Sequence, residues 1–186
     1  MRARFTAVAL FACLGVMSVA QAAEYTRVNT AASQISFTYK QMGSRVYGTF
    51  GRFEATLDFD TLNPANARTT LRIDLNSIDA GSEDANTELV KAAWFDTQRF
   101  PVAVFESTGF RQIEPNRYLL TGRLTVKGMT RDVQVPVQLK PDNAIGIFDG
   151  ELVLKRDDFA LGAGEWADSV VSNEIDIKFK VVAPQQ

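Results

Sequence analysis

Tyr118-Leu119-Leu120-Thr121-Gly122-Arg123-Leu124-Thr125-Val126, and then Val133-Gln134-Val135-Pro136-Val137-Gln138-Leu139, decide the fold of this 186-residue chain. Tyr118, Leu120, Leu124 and Val126 fall on every second position, as do Val133, Val135, Val137 and Leu139. A period of two places these side chains on one face of a strand, whereas a helix would repeat every three or four residues. Mostly polar residues occupy the alternate positions. One apolar and one wet face is the signature of an antiparallel sheet.

The same rhythm extends in both directions. Ile35, Phe37 and Tyr39 alternate, followed by Val46, Gly48 and Phe50. Phe53, Ala55, Leu57 and Phe59 continue one step out of phase, and the change falls at Gly51, where a bulge costs least. Leu71, Ile73 and Leu75 form another run, the stretch 102–107 reads as extended, and Phe148-Gly150-Leu152-Leu154 and Ile175-Ile177-Phe179-Val181 complete the series. Turn-forming clusters separate them at Gly43-Ser44, Asn63-Pro64-Ala65-Asn66, Glu114-Pro115-Asn116, Gly128 and Pro141-Asp142-Asn143. Residues 82–93 break the pattern with good helix formers, a Ser82 suited to cap them and Leu89 as apolar anchor. Trp94-Phe95 then returns toward the sheet.

Seven or eight antiparallel strands in one domain imply a sandwich or a closed barrel. Gly48, Gly122 and Gly150 all stand on the inward phase. Two readings stay open for them: curvature with close packing, or side chains omitted to open an internal channel. Under the second, Gly122→Leu and Gly150→Leu would block a ligand and spare the fold, which is the expectation for at least one of the pair. Under the first they would overpack the core. Pro136, on the outward phase, cannot donate to a ladder, so its strand is expected to be an edge locally or to carry a bulge.

The N-terminus reads as an export signal over residues 1–22. Arg2 and Arg4 precede an uncharged run from Phe5 to Val19, and Ala20-Gln21-Ala22 offers a cleavage site. The run is shorter than the ~20 residues of a spanning helix, so no stable membrane insertion is expected. Leu10-Phe11-Ala12-Cys13 loosely resembles a lipoprotein site, but Phe11 fits poorly and the apolar run continues past the cysteine. Residues 23–186 are then one domain in the periplasm. Cleavage removes two of the 20 Lys and Arg and none of the 22 Asp and Glu, moving the net charge from −2 to −4. Interleaved charges leave no footprint for nucleic acid, and a mildly acidic surface disfavours anionic lipid headgroups. With no histidine, and its one cysteine inside the signal, the mature chain cannot build a Ser-His-Asp or Cys-His nucleophile or the usual zinc, copper or haem sites. No metal and no cofactor are expected.

Leu120-Thr121-Gly122-Arg123-Leu124-Thr125-Val126-Lys127-Gly128-Met129-Thr130, with Val133 after it, resembles the central signature of the YceI-like family. Trp94-Phe95-Asp96, Phe100-Pro101 and Phe105-Glu106-Ser107 resemble its second motif. Gly48-Thr49-Phe50-Gly51-Arg52-Phe53 and Asn76-Ser77-Ile78 fit its early strands, and Arg156-Asp157-Asp158-Phe159, Gly162 and Trp166 its late loop. The resemblance implies an all-β, lipocalin-like antiparallel β-barrel of about eight strands with one short helix beside it. It also implies an exported protein, not an enzyme, that holds a polyisoprenoid or other long-chain lipid inside the barrel. Many members carry histidine where Gln41 stands, and an Arg-Asp-x-His-Leu run where this chain has Ala85-Asn86-Thr87-Glu88-Leu89. Whatever those histidines do is in doubt here.

The inward aromatics Phe37, Tyr39, Phe50, Phe53, Phe105 and Phe148 are candidate ligand contacts, with ordinary core as the competing role. Tyr39 adds a hydroxyl for a polar head. Leu120, Gly122, Leu124, Gly150 and Leu152 share the inward phase, and Trp94 and Trp166 are candidates to border an opening. Residues 162–173 form the candidate flap. Asp157-Asp158 and Glu83-Asp84 read as solvated charges, and Asp58 and Asp74 as outward. A carboxylate-dependent enzyme would need Glu88, Glu106 or Asp157 to face the interior. An interaction module would dock an envelope partner on the edge near Pro136 or on the helix face. The oligomeric state stays open between monomer and dimer.

Overall fold

The alternating runs pair as one antiparallel sheet in the computed structural model, which describes residues 22–162 and 170–186. The expected export segment up to residue 21, Trp166 and most of the candidate flap lie outside the described residues. The strands are β1 (Glu24–Tyr25), β2 (Gln34–Gln41), β3 (Ser44–Phe50), β4 (Phe53–Asp60), β5 (Arg68–Asp74), β6 (Ile78–Asp79), β7 (Val102–Glu114), β8 (Arg117–Val126), β9 (Met129–Asp142), β10 (Ile145–Lys155) and β11 (Glu174–Pro184). Their order across the sheet is β1-β4-β5-β7-β8-β9-β10-β11-β2-β3-β6.

Eleven strands replace the expected eight or so. Two of the additions, β1 and β6, are two-residue pairings at the ends of the order. The third arises because Gly51-Arg52 divides what reads as one run. That break does more than shift the side-chain phase. β3 pairs with β2 while β4 pairs with β5, so the two halves serve opposite ends of the strand order. A chain passing directly from one half to the other curls the sheet into a half-barrel. The kink is fixed by bonds to one neighbouring segment: Gly51 N–H to Ser77 carbonyl at 2.9 Å, Arg52 N–H to Ser77 Oγ at 2.9 Å and Asp74 N–H to Arg52 carbonyl at 3.1 Å. Arg52 also donates from Nε and Nη2 to Asp74 Oδ2, at 2.9 and 2.7 Å.

The hairpins follow turn chemistry. Met42-Gly43 and Lys127-Gly128 both place two residues at positive φ, the backbone that matches a tight turn to the twist of its strands. The helix, α1 (Glu83–Leu89), starts as expected, with Ser82 Oγ accepting from Ala85 N–H. It ends before residue 93 because the chain folds back: Phe95 N–H bonds to Leu89 carbonyl, and Thr97 N–H to Val90 carbonyl, both at 3.0 Å.

Two packed regions fill the inside of the curl. At one end the Phe59 ring meets Phe110, Tyr118 and Phe148 edge-on, at centroid distances of 5.6, 5.0 and 5.3 Å. Leu120, Val135, Val137 and Leu139 close this cluster. At the other end Leu75, Trp94, Ala103, Val126 and Phe159 pack together, adjoined by Phe37, Ile78 and Ala80.

The inward glycines resolve to close packing. Phe37 lies over its direct cross-strand partner Gly48, and Phe179 over its partner Gly150. The Phe105 ring covers Gly122. A β-carbon added at Gly48 or Gly122 would also come within 2.6 Å of a backbone carbonyl. Each glycine therefore clears space for an aromatic ring that rests on the bare strand. The expectation that missing side chains open a channel is corrected: the space at Gly122 and Gly150 is already filled.

Pro136 marks a real interruption. The β9–β10 ladder runs from the Asp142–Ile145 pair to the Val137–Gly150 pair and stops there. Beyond it, residues 129–136 pair only with β8, and residues 151–155 only with β11. The expected local edge is present, as a seam between two strands.

Gly122→Leu and Gly150→Leu are thus expected to lower stability by about 1–3 kcal/mol or more through overpacking. Denaturant unfolding checks this, and mutants as stable as the parent would contradict it. The Arg52 hydrogen bond holds the Asp74 carboxyl below its usual value of 3.8. A carboxyl depressed in the fold stabilises it above the unfolded pKa, and that contribution is lost as pH falls through the folded value. Asp74→Asn should therefore weaken the protein at neutral pH and match the parent in acid. An equal deficit at every pH would assign the loss to packing.

Candidate ligand site

Between the two packed ends, several inward side chains that flank the clusters are only partly covered. Phe105 on β7, Leu124 on β8 and Val133 on β9 are only half-buried although they share a face with buried residues of the same strands. On β10 and β11 the same holds for Leu152, Leu154, Ile175, Ile177 and Phe179. Phe53 and Ala55 of β4, with Leu71 and Ile73 of β5, carry the band round the curl. The register joins them into two runs: Ala55 faces Leu71, Leu71 faces Phe105 and Phe105 faces Leu124 on one side of the β9–β10 seam, and Leu152 faces Ile177 on the other. Every side chain in this band is hydrocarbon.

The sequence candidates divide between this band and the core. Phe53, Phe105, Leu124 and Leu152 lie in the band. Phe50 and Tyr39 are half-buried where the band meets the packed end beside α1, and the Phe37 ring stacks on Tyr39 at 6.1 Å. Burial pushes the Tyr39 phenol pKa up, and its hydroxyl donates to Ala80 carbonyl at 3.3 Å. Phe37, Leu120 and Phe148 are core residues, 4–6% exposed. Trp94 is buried with them, and Gly162 lies against its ring. Gly122 and Gly150 contribute backbone under Phe105 and Phe179.

The carboxylates look elsewhere. Glu106 is exposed and paired with Arg123 at 3.5 Å, Glu88 pairs with Lys91, and Asp157 is exposed. The two carboxyls with shifted pKa among the described residues, Asp60 and Asp74, are both lowered by hydrogen bonds, the opposite of what a general acid needs. Among the described residues no three acidic side chains converge to hold a metal ion. Gln41 and Glu88 stand at the strand end bridged to Val171 and on α1 respectively. A groove of about 580 Å³ at the seam between β9 and β10 has a mixed lining, with Pro136, Val137, Gly150 and Phe179 beside the ion-paired Glu151 and Lys178.

One structural residue escaped the sequence reading. Arg156 is 3% exposed and donates to the carbonyls of Leu161, Gly162, Val171 and Ser172 at 2.7–3.2 Å. It also sits 5.9 Å from the Trp94 ring. It ties residues 161–162 to 171–172. Nothing in the run Arg156-Asp157-Asp158-Phe159 distinguishes such a clamp from a solvated arginine, because its partners are backbone oxygens.

Comparison with known proteins agrees with this architecture. The YceI-like domain model matches residues 26–183. The UPF0312 protein plu2095 of Photorhabdus laumondii is 33% identical over 106 residues, 56% of this chain and 55% of that protein, so the match spans about half the length of such curated relatives. A crystal structure of BcnA from Burkholderia cenocepacia superposes with a TM-score of 0.82 at 37% identity, covering 84% of this chain and 99% of that one. A polyisoprenoid binding domain from Saccharophagus degradans shares the fold at a TM-score of 0.62 and 18% identity, over 89% of this chain and 98% of its own. With a family model covering most of its length and ordered motifs on the strands that build the curl, the chain belongs to the YceI-like family.

Proposed function

We propose that the protein is an exported binding protein that carries or sequesters a long apolar ligand, a polyisoprenoid or similar lipid, inside the curled sheet. The observation that carries this reading is the half-buried hydrocarbon band between two packed ends. A protein interior normally fills to crystal-like density, so inward apolar surface left accessible is surface awaiting an occupant. Counted with the bent β3–β4 run as one strand and without the two-residue β1 and β6, the curl has eight long strands, the number found in barrels that hold one small ligand. The Saccharophagus degradans neighbour, described as a polyisoprenoid binding domain, supports the ligand class. The signal-like residues 1–22 support export to the periplasm, where a carrier for insoluble lipid has a use.

The energetics set a minimum ligand length. Burial contributes about 0.8 kcal/mol per methylene, so ten carbons give roughly 8 kcal/mol, within the ~4–15 kcal/mol that association costs. A short chain therefore breaks even at best, and useful affinity needs a longer one.

Native mass spectrometry and organic extraction of freshly purified protein are expected to reveal a co-purified long-chain molecule. Extracted protein should also take up added polyprenol, more tightly as the chain lengthens. Protein that is repeatedly ligand-free and takes up no polyprenol would overturn the reading.

A further inference from the structure

The inward series of β9 does not end at Val133. Stepping back by two from Val137, Val135 and Val133 reaches Arg131, which pairs directly with Leu124 of the apolar band. Directly paired residues of an antiparallel ladder point to the same face, so this cation starts out on the inner side. Its guanidinium lies 5.9 Å from the ring of Phe159, which is 2% exposed and belongs to the packed cluster beneath.

Its charge has no partner there. Among the described residues Arg131 makes no ion pair, and its one hydrogen bond runs from Nη1 to the carbonyl of its neighbour Thr130 at 2.9 Å. Asp157, near Phe159 in sequence, leans toward Arg156 at 3.7 Å, and Asp132 sits on the opposite face of β9, across from Arg123. The residue remains exposed because it stands at the seam, where residues 129–136 of β9 have no partner on β10. A planar fork of donors, one face against an aromatic ring and the rest open at the edge of a hydrocarbon band, suits an oxyanion held bidentately.

We propose that Arg131 is the headgroup site of the binding chamber, and that the preferred ligand is a long apolar chain ending in an oxyanion, a phosphate or a carboxylate. The chain lies along the band and its head reaches the seam beside β9. This assignment rests on the lipid-binding reading above, and it would make the seam left by Pro136 the place where the polar end of the ligand meets water.

The test compares farnesyl phosphate with farnesol, and palmitate with hexadecanol, on ligand-stripped parent protein, Arg131→Gln and Arg131→Lys. The parent is expected to favour the charged member of at least one pair by roughly 10-fold or more, the worth of a charge-assisted hydrogen bond. Which pair shows the preference separates phosphate from carboxylate. Arg131→Gln should abolish the preference and leave the alcohol's affinity unchanged, while Arg131→Lys should keep part of it. Arg131 is exposed, so equal thermal unfolding of the three proteins is expected and checks that the fold is intact. Alcohols that bind with no preference for the charged partners, or a preference that survives Arg131→Gln, would overturn the headgroup site and leave the chamber standing. Failure of all four probes to bind would overturn both.

Discussion

One extended run of chain, bent at Gly51-Arg52, has to serve both ends of the sheet. Its first half pairs with β2 and its second with β5, and every other long strand is strung between those two. The bend is held because the Ser77 carbonyl accepts the Gly51 N–H, and because Asp74 and Ser77 bind the backbone and side chain of Arg52. The curl, the two packed ends and the space between them all follow from that constraint. A straight run would give an open sheet with one face wet and no interior.

Within the curl, the aromatic side chains decide what is solid and what is not. Phe59, Phe110, Tyr118 and Phe148 close one end by edge-on contact, and Trp94 with Phe159 helps to close the other. In the middle, Phe105 and Phe179 lie flat over Gly122 and Gly150 instead of reaching across. The glycines thus seat these rings on the wall of the curl.

Much of this was legible in the sequence. The period-two runs, the Ser82 cap, the phase change at Gly51 and the ladder break at Pro136 each depend on local backbone rules, and each is found where those rules put it. The strand count was not, because two-residue pairings such as β1 and β6 carry no periodic signal. The inward phase of Gly122 and Gly150 was readable, but what lies above them depends on ring orientation in a neighbouring strand. For the same reason alternation placed Phe148 and Leu120 correctly on the inner face without distinguishing packed end from open middle, a property of depth along the curl. Arg131 was within reach of the alternation, one step beyond Val133, and a charged residue on that phase was the signal.

The proposed function requires a hydrocarbon chain lying along the half-buried band. A polyprenol carrying a photoreactive diazirine in its chain, bound and irradiated, would map its path by the residues it labels. Labels on Phe105, Leu124, Leu152 and Ile177, from four strands of the inner face, are the result this structure predicts. Labels confined to outward residues such as Tyr47 and Val153, which are 66% and 55% exposed, would place the lipid on the outside and contradict it.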